Sequence, residues 1–246
     1  MRGSGIIASA LILIGITWVV WSNLKNYEAH ATAIKYVRTE GVFQYISKSE
    51  VKEILLPLVK TGFFSADIEA IKEAVEQMPW VDKVSVKRVW PDAIDIKVYE
   101  QAAVARWGKI GLLNARGEVF IPANVDRFDH LPMLVGPSGQ QQKVLEIMKG
   151  ISTTLADRAL GLSEFVIDER RSWRILLSNG TEVLLGRKEQ LKSFQRFLKT
   201  LQLFGPEQID AMAKVDLRYP NGYTVLWKPE AKAIDWKKMA AERRQS

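Results

Sequence analysis

Apolar residues run without a polar face from Gly5 to Leu24, twenty residues that carry no charge. As a helix rising 1.5 Å per residue this run covers roughly 30 Å, the thickness of a bilayer's hydrocarbon core. Trp18 and Trp21 lie near its carboxyl end, where aromatic rings favour the headgroup layer, and Arg2 lies before it. Lys25 and Lys35 follow the run, so charge counting gives only slight support to an inside amino terminus. Ala29-His30-Ala31 reads as a signal-peptidase site, but the run is longer than a signal peptide's core and stands apart from that site. Residues 1–25 are therefore expected to form a short cytoplasmic tail and a retained single-pass anchor. All functional surface is then expected after residue 25, outside the cytoplasm.

Beyond the anchor the period changes. Residues 33–38 and 42–46 read as a strand pair. A helix should open at Ser47-Lys-Ser-Glu50, where Ser47 and Glu50 have capping-box spacing, with Val51, Ile54, Leu55 and Leu58 on its apolar face. Gly62 stops it. Ser65 is expected to cap a second helix, with Asp67 and Glu69 in its first turn and Ile68, Ile71, Val75 and Met78 as its buried stripe. Val84 and Val86, then Ile94, Ile96 and Val98, alternate with polar residues on either side of Pro91-Asp92, the mark of two half-buried strands.

After residue 101 the chain is richer in hairpins. Turns are expected at 114–117, at Asn179-Gly180 and at Pro220-Asn221-Gly222, each between β-prone runs. Two amphipathic helices intervene, over 141–155 (Val144, Ile147, Met148, Ile151) and 189–203 (Leu191, Phe194, Leu198, Leu201). Residues from Lys228 onward are charged and read as a mobile tail. The fold class is thus α+β, with boundaries at 1–25, 26–101, 102–228 and 229–246.

Composition narrows the function. The net charge is +7, with Lys and Arg dispersed among acids, which argues against nucleic acid as a partner. With no cysteine, disulfides, thiolate metal sites and a cysteine nucleophile are excluded, which suits a bacterial periplasm or cell exterior. Only His30 and His130 remain for histidine chemistry, and neither has a partner in the sequence.

Several short stretches carry a resemblance when read in order after such an anchor: Gly62-Phe63-Phe64, Met78-Pro79-Trp80-Val81 leading to Val89-Trp90-Pro91, Arg170-Arg171-Ser172-Trp173, Leu185-Gly186-Arg187 and Val215-Asp216-Leu217-Arg218-Tyr219. Over nearly its whole length the chain resembles the bacterial FtsQ/DivIB cell-division family. The resemblance implies a POTRA-like domain over 26–101, then a mixed β domain over 102–228. It implies a non-enzymatic inner-membrane scaffold at the division septum, bound to the small bitopic proteins FtsB and FtsL and to other division components. A POTRA-bearing module of protein transport or outer-membrane assembly is the alternative of similar structure. Such modules carry several POTRA repeats or a terminal barrel, and neither is visible here.

An anchored peptidoglycan enzyme is a third class. Ser49-Glu-Val-Lys52 and Lys60-Thr61-Gly62 match fragments of penicillin-binding-protein motifs, but they bracket a single helix and the S-x-N element is missing. Glu118, Asp126 and Asp129 read as scattered loop acids. No catalytic residue, metal ligand or cofactor site is expected. Trp80, Trp90 and Trp173 are expected to pack in cores or on strand edges. The closing hairpin is different, because a terminal strand has a neighbour on one side only and Tyr223–Trp227 contains no charge or Pro to blunt the other. Arg218, Tyr219, Asn221, Gly222, Tyr223, Val225 and Trp227 are the expected partner-binding residues. The resemblance maps its FtsB-binding region onto the Arg218-Tyr219 turn and the strand after it, and places Arg170 at a matching position as a second contact.

Overall fold

The computed structural model describes residues 14–22 and 34–231. Residues 14–22 form a helix, α1, whose Ile14, Trp18 and Trp21 are exposed. The rest of the expected anchor, the Ala29-His30-Ala31 site and tail residues 232–246 lie outside the described residues. No helix among the described residues is long and apolar enough to cross a membrane. The chain divides into two compact units, residues 1–101 and 102–246.

In the first unit the order is β1 (Tyr36–Glu40), α2 (Lys48–Leu55), a 3₁₀ turn (Val59–Thr61), α3 (Ile68–Glu76), β2 (Val81–Val89) and β3 (Ala93–Glu100). The Ser47–Glu50 capping box forms as its spacing predicts. The Ser47 hydroxyl accepts the Glu50 N–H at 3.1 Å, and the Glu50 carboxylate accepts the Ser47 N–H at 2.7 Å. The Ser47 N–H, and the Ser47 hydroxyl that lies 2.7 Å from the same carboxylate oxygen, hold the Glu50 carboxyl below its ordinary range. Asp67, not Ser65, caps the second helix, its carboxylate accepting from Glu69 and Ala70 N–H. The sheet order is β1-β3-β2, with β1 parallel and β2 antiparallel to β3. Val51, Leu55, Ile71, Val75, Val84, Ile94, Ile96 and Val98 fill the core between helices and sheet.

The expected strand over 42–46 does not form. Instead the Glu100 carboxylate collects the backbone N–H groups of Gln44, Tyr45 and Ile46, at 2.8–3.2 Å. One side chain satisfies donors that a strand partner would otherwise take. Trp80 stacks on Tyr45 at 4.0 Å between ring centroids, but Trp90 is 79% exposed and packs in no core.

The second unit is one nine-stranded sheet in the order β12-β11-β10-β9-β8-β7-β4-β5-β6. Its strands are β4 (Ala103–Trp107), β5 (Gly111–Asn114), β6 (Val119–Phe120), β7 (Met133–Val135), β8 (Leu162–Ile167), β9 (Trp173–Leu177), β10 (Glu182–Gly186), β11 (Met212–Asp216) and β12 (Thr224–Trp227). The same unit contains helices α4 (Gln141–Ala156), α5 (Gln190–Leu201) and α6 (Pro206–Asp210). Val144, Met148 and Ile151 of α4 and Phe194, Phe197, Leu198 and Leu201 of α5 pack into the core that the sheet lines. Leu191 is exposed, because the buried stripe of α5 runs through Phe197 instead. Lys228 is tied down rather than loose: its N–H donates to the Ala211 carbonyl at 2.8 Å and its ammonium to the Asn179 carbonyl at 3.0 Å.

Candidate functional site: the β12 edge and its basic cleft

Strand β12 ends the sheet, and among the described residues no strand pairs with its other side. Its inner side pairs antiparallel with β11 in the register Lys214↔Leu226, Val215↔Val225 and Asp216↔Thr224. The direction of each backbone group follows from two bonds. Leu217 N–H donates to the Leu184 carbonyl of β10, so along β11 the N–H groups of Lys214 and Asp216 turn the other way, toward β12. Lys228 N–H donates toward β11, which sets the same phase from the β12 side. Thr224 and Leu226 are therefore bonded inward, and Val225, with Tyr223 by the same alternation, presents its N–H and C=O to the open edge.

Side chains on β12 also alternate. Tyr223, Val225 and Trp227 pack against the core, with Tyr223 edge-to-face on Phe197 at 5.7 Å and Trp227 near Phe204 at 6.2 Å. Leu226 is 63% exposed on the opposite face, an apolar residue that sequence reading did not single out because only the register reveals its side. Tyr219 stands out from the loop before β12, 51% exposed. Asn221 is exposed in the same loop.

That loop is held from below. Arg196 of α5 donates to the carbonyls of Pro220 at 2.6 Å, Tyr219 at 3.1 Å and Gly222 at 3.5 Å. No local sequence pattern announces this clamp, since Arg196 and the loop are more than twenty residues apart.

At the end of the sheet where β10 and β11 finish and β9 begins, Asp168, Arg170, Ser172, Leu185, Gly186, Arg187, Lys188 and Arg218 line a cleft of about 480 Å³. Arg170, in the turn before β9, and Arg218, just after β11, thus share one concave surface, joined by Arg187 and Lys188. The one acid lining it, Asp168, accepts the Ser172 N–H at 2.7 Å. Arg218 is pre-set by Asp216: its Nε and Nη2 reach the two carboxylate oxygens at 2.8 and 2.5 Å. This fork holds the Asp216 carboxyl below the usual carboxylate range and raises the Arg218 guanidinium further. Gly186, at φ +73°, lets the Arg218 stem lie against it, for a Cβ there would come 3.0 Å from the Arg218 Cγ.

The enzyme-like fragments do not converge. Ser49 sits in the first turn of α2, 2.9 Å from the Ser47 hydroxyl, and Lys52 is exposed on that helix. Lys60 lies on the 3₁₀ turn that Gly62 closes. Glu118 is engaged by Arg116 and Asn114, and Asp129 by Arg106. His130 is exposed beside the Phe128 ring. Among the described residues no cluster of three His, Asp or Glu is placed to hold a metal ion.

Comparison with known proteins agrees with the two-unit layout. Residues 32–101 match the POTRA domain of FtsQ type, and residues 105–218 match the C-terminal region of the cell division protein FtsQ/DivIB. A cell division protein FtsQ from Methylomonas methanica is 48% identical over 231 residues, covering 94% of this chain and 93% of that one. The chain belongs to the FtsQ/DivIB family of cell division proteins. An FtsQ from Xanthomonas campestris is 30% identical over 89% of this chain and 78% of its own length. The FtsQ from Cellvibrio japonicus is 33% identical, over 78% of this chain and 60% of its own length. The C-terminal family match stops at Arg218, so the open strand β12 lies just beyond it.

Proposed function

We propose that this FtsQ-family chain is a non-enzymatic scaffold of the bacterial divisome that captures a segment of FtsB, and with it FtsL, on the open edge of β12. Residues 5–24 anchor it in the inner membrane, with the short amino tail in the cytoplasm and both units on the periplasmic side at the septum. The observation that carries the reading is the outward-facing backbone of Val225, together with a cleft lined by four cations at the end of the sheet where β10 and β11 finish. An incoming strand gains main-chain hydrogen bonds from the edge, while acidic residues flanking it find Arg170 and Arg218. Tyr219 adds a large apolar surface with few rotatable bonds, the kind of residue that dominates interface energetics. Arg218 already shares its fork with Asp216, so a partner carboxylate meets a guanidinium fixed in place rather than one that must be ordered on binding.

Calorimetric titration of the full chain in nanodiscs with a peptide of the FtsB carboxyl-terminal segment tests the reading. Tyr219→Ala should weaken binding by on the order of 2 kcal/mol, and Arg218→Glu should weaken it by charge reversal. If both variants stay folded and bind like the parent, the site is elsewhere.

A further inference from the structure

The first unit has an exposed aromatic end for which the capture of a partner by β12 has no use. Trp90, in the turn between β2 and β3, is 79% exposed, and Phe64, in the loop before α3, is 68% exposed. Arg88 joins these two segments. It sits two residues before Trp90, and its guanidinium donates to the carbonyls of Phe63 at 3.2 Å and Ala66 at 2.5 Å. With the loop so fixed, Phe63 is buried while Phe64 points outward, the two rings meeting edge to face at 5.2 Å. Both large rings therefore stand on one end of the unit by construction.

The chain enters the unit at that same end. Lys35 N–H donates to the Asp92 carbonyl at 2.9 Å, and the Lys35 ammonium pairs with the Asp92 carboxylate at 3.2 Å. Tyr36, Ala93 and Val89 then form one row across the sheet, with Tyr36 61% exposed. Only nine residues lie between Leu24, the last residue of the apolar run, and Ile34, ten Cα steps with a reach of at most about 35 Å. Any membrane that holds the run thus lies within a short tether of the Trp90 turn, where the effective concentration of lipid is high.

We propose that this end is a membrane-docking surface, with Trp90 and Phe64 seated in the headgroup layer of the bilayer that holds residues 5–24. Tryptophan is the side chain best suited to that layer, having an apolar body and one N–H for the wet side. The Lys35–Asp92 pair neutralises the charge beside it, so the contact is with the interfacial layer as such rather than with anionic lipid alone. The surface would fix the tilt of the first unit over the membrane. The proposal rests on the anchored reading given above.

Because the chain has no cysteine, single probes can be placed cleanly. The full chain carrying Trp90→Cys or Phe64→Cys, labelled with an environment-sensitive fluorophore, is reconstituted in vesicles of phosphatidylethanolamine and phosphatidylglycerol doped with a shallow quenching lipid. Glu76→Cys, exposed at the carboxyl end of α3, is the reference. The expected result is blue-shifted emission and at least threefold stronger quenching at positions 90 and 64 than at 76. Equal, water-like emission at all three positions in protein that floats with the vesicles overturns the docking and leaves the anchor standing. Emission that turns apolar only after division partners are added assigns the surface to protein and overturns it too. Protein that fails to float removes the anchor and the docking together.

Discussion

Arg196 and Asp216 show how far the proposed capture surface is set by residues that need not touch a partner. Arg196 ties three loop carbonyls to α5, and that loop carries Tyr219 into the start of β12. Arg196→Ala should leave the core intact, since the buried stripe of Phe194, Phe197, Leu198 and Leu201 is untouched, yet free the loop. The expected outcome is roughly tenfold weaker capture of the FtsB peptide with faster amide exchange at 219–223, and Arg196→Lys should restore only part of it, because one ammonium cannot span three carbonyls. Unchanged affinity would show that the loop is held by other means. Asp216 acts through pH. Its carboxyl is depressed by the Arg218 hydrogen bonds, so its contribution to stability is complete above the ordinary aspartate value of about 4 and falls away as pH drops through the lower folded value. The difference in Tm between parent and Asp216→Asn should therefore be constant from neutral pH down to about 4 and shrink in stronger acid. A difference that widened with acid would contradict the pairing.

At the level of elements, the proposed capture uses the backbone of β12. A proline at Val225 removes an outward N–H and crowds an arriving strand, so Val225→Pro should abolish capture, whereas Thr224→Ala, whose N–H already bonds β11, should change affinity by less than about 0.5 kcal/mol. Isothermal titration of the two variants side by side, with circular dichroism to check folding, decides it. The same elements show what a sequence makes legible. The Ser47–Glu50 box, the Ile94-Ile96-Val98 alternation and the Asn179-Gly180 turn are local, and each forms where its spacing places it. Residues 42–46 look like a strand because Val, Phe and Tyr favour one. Their donors go instead to Glu100, more than fifty residues away, and no local pattern reveals such a rival. Strands β4, β7 and β8 were hard to read for a related reason: β7 has three residues, and it pairs parallel to β4 and β8 across long connections. The end position of β12 was legible from its place in the chain. The clamp by Arg196, the exposure of Leu226 and the gathering of Arg187 and Lys188 beside Arg170 and Arg218 needed coordinates, because each depends on register or on segments distant in sequence.

On the scale of the whole molecule, the chain has two units with separate cores. The first is closed around its own helices and carries its exposed aromatic rings at the end where the chain enters. Among the described residues the second spreads nine strands into one sheet, and no strand pairs with the outer side of its last one, β12. That arrangement suits a protein whose task is to be held in one place and to hold something else. The central claim is that a partner strand completes the sheet at β12, and backbone amide exchange of the chain with and without the FtsB carboxyl-terminal peptide tests it most directly. The amides of Thr224 and Leu226, already bonded to β11, should be protected in both states, while those of Tyr223 and Val225 should slow by at least an order of magnitude only when the peptide is bound. Saturating peptide that left the Val225 amide exchanging at its free rate would contradict strand addition at this edge.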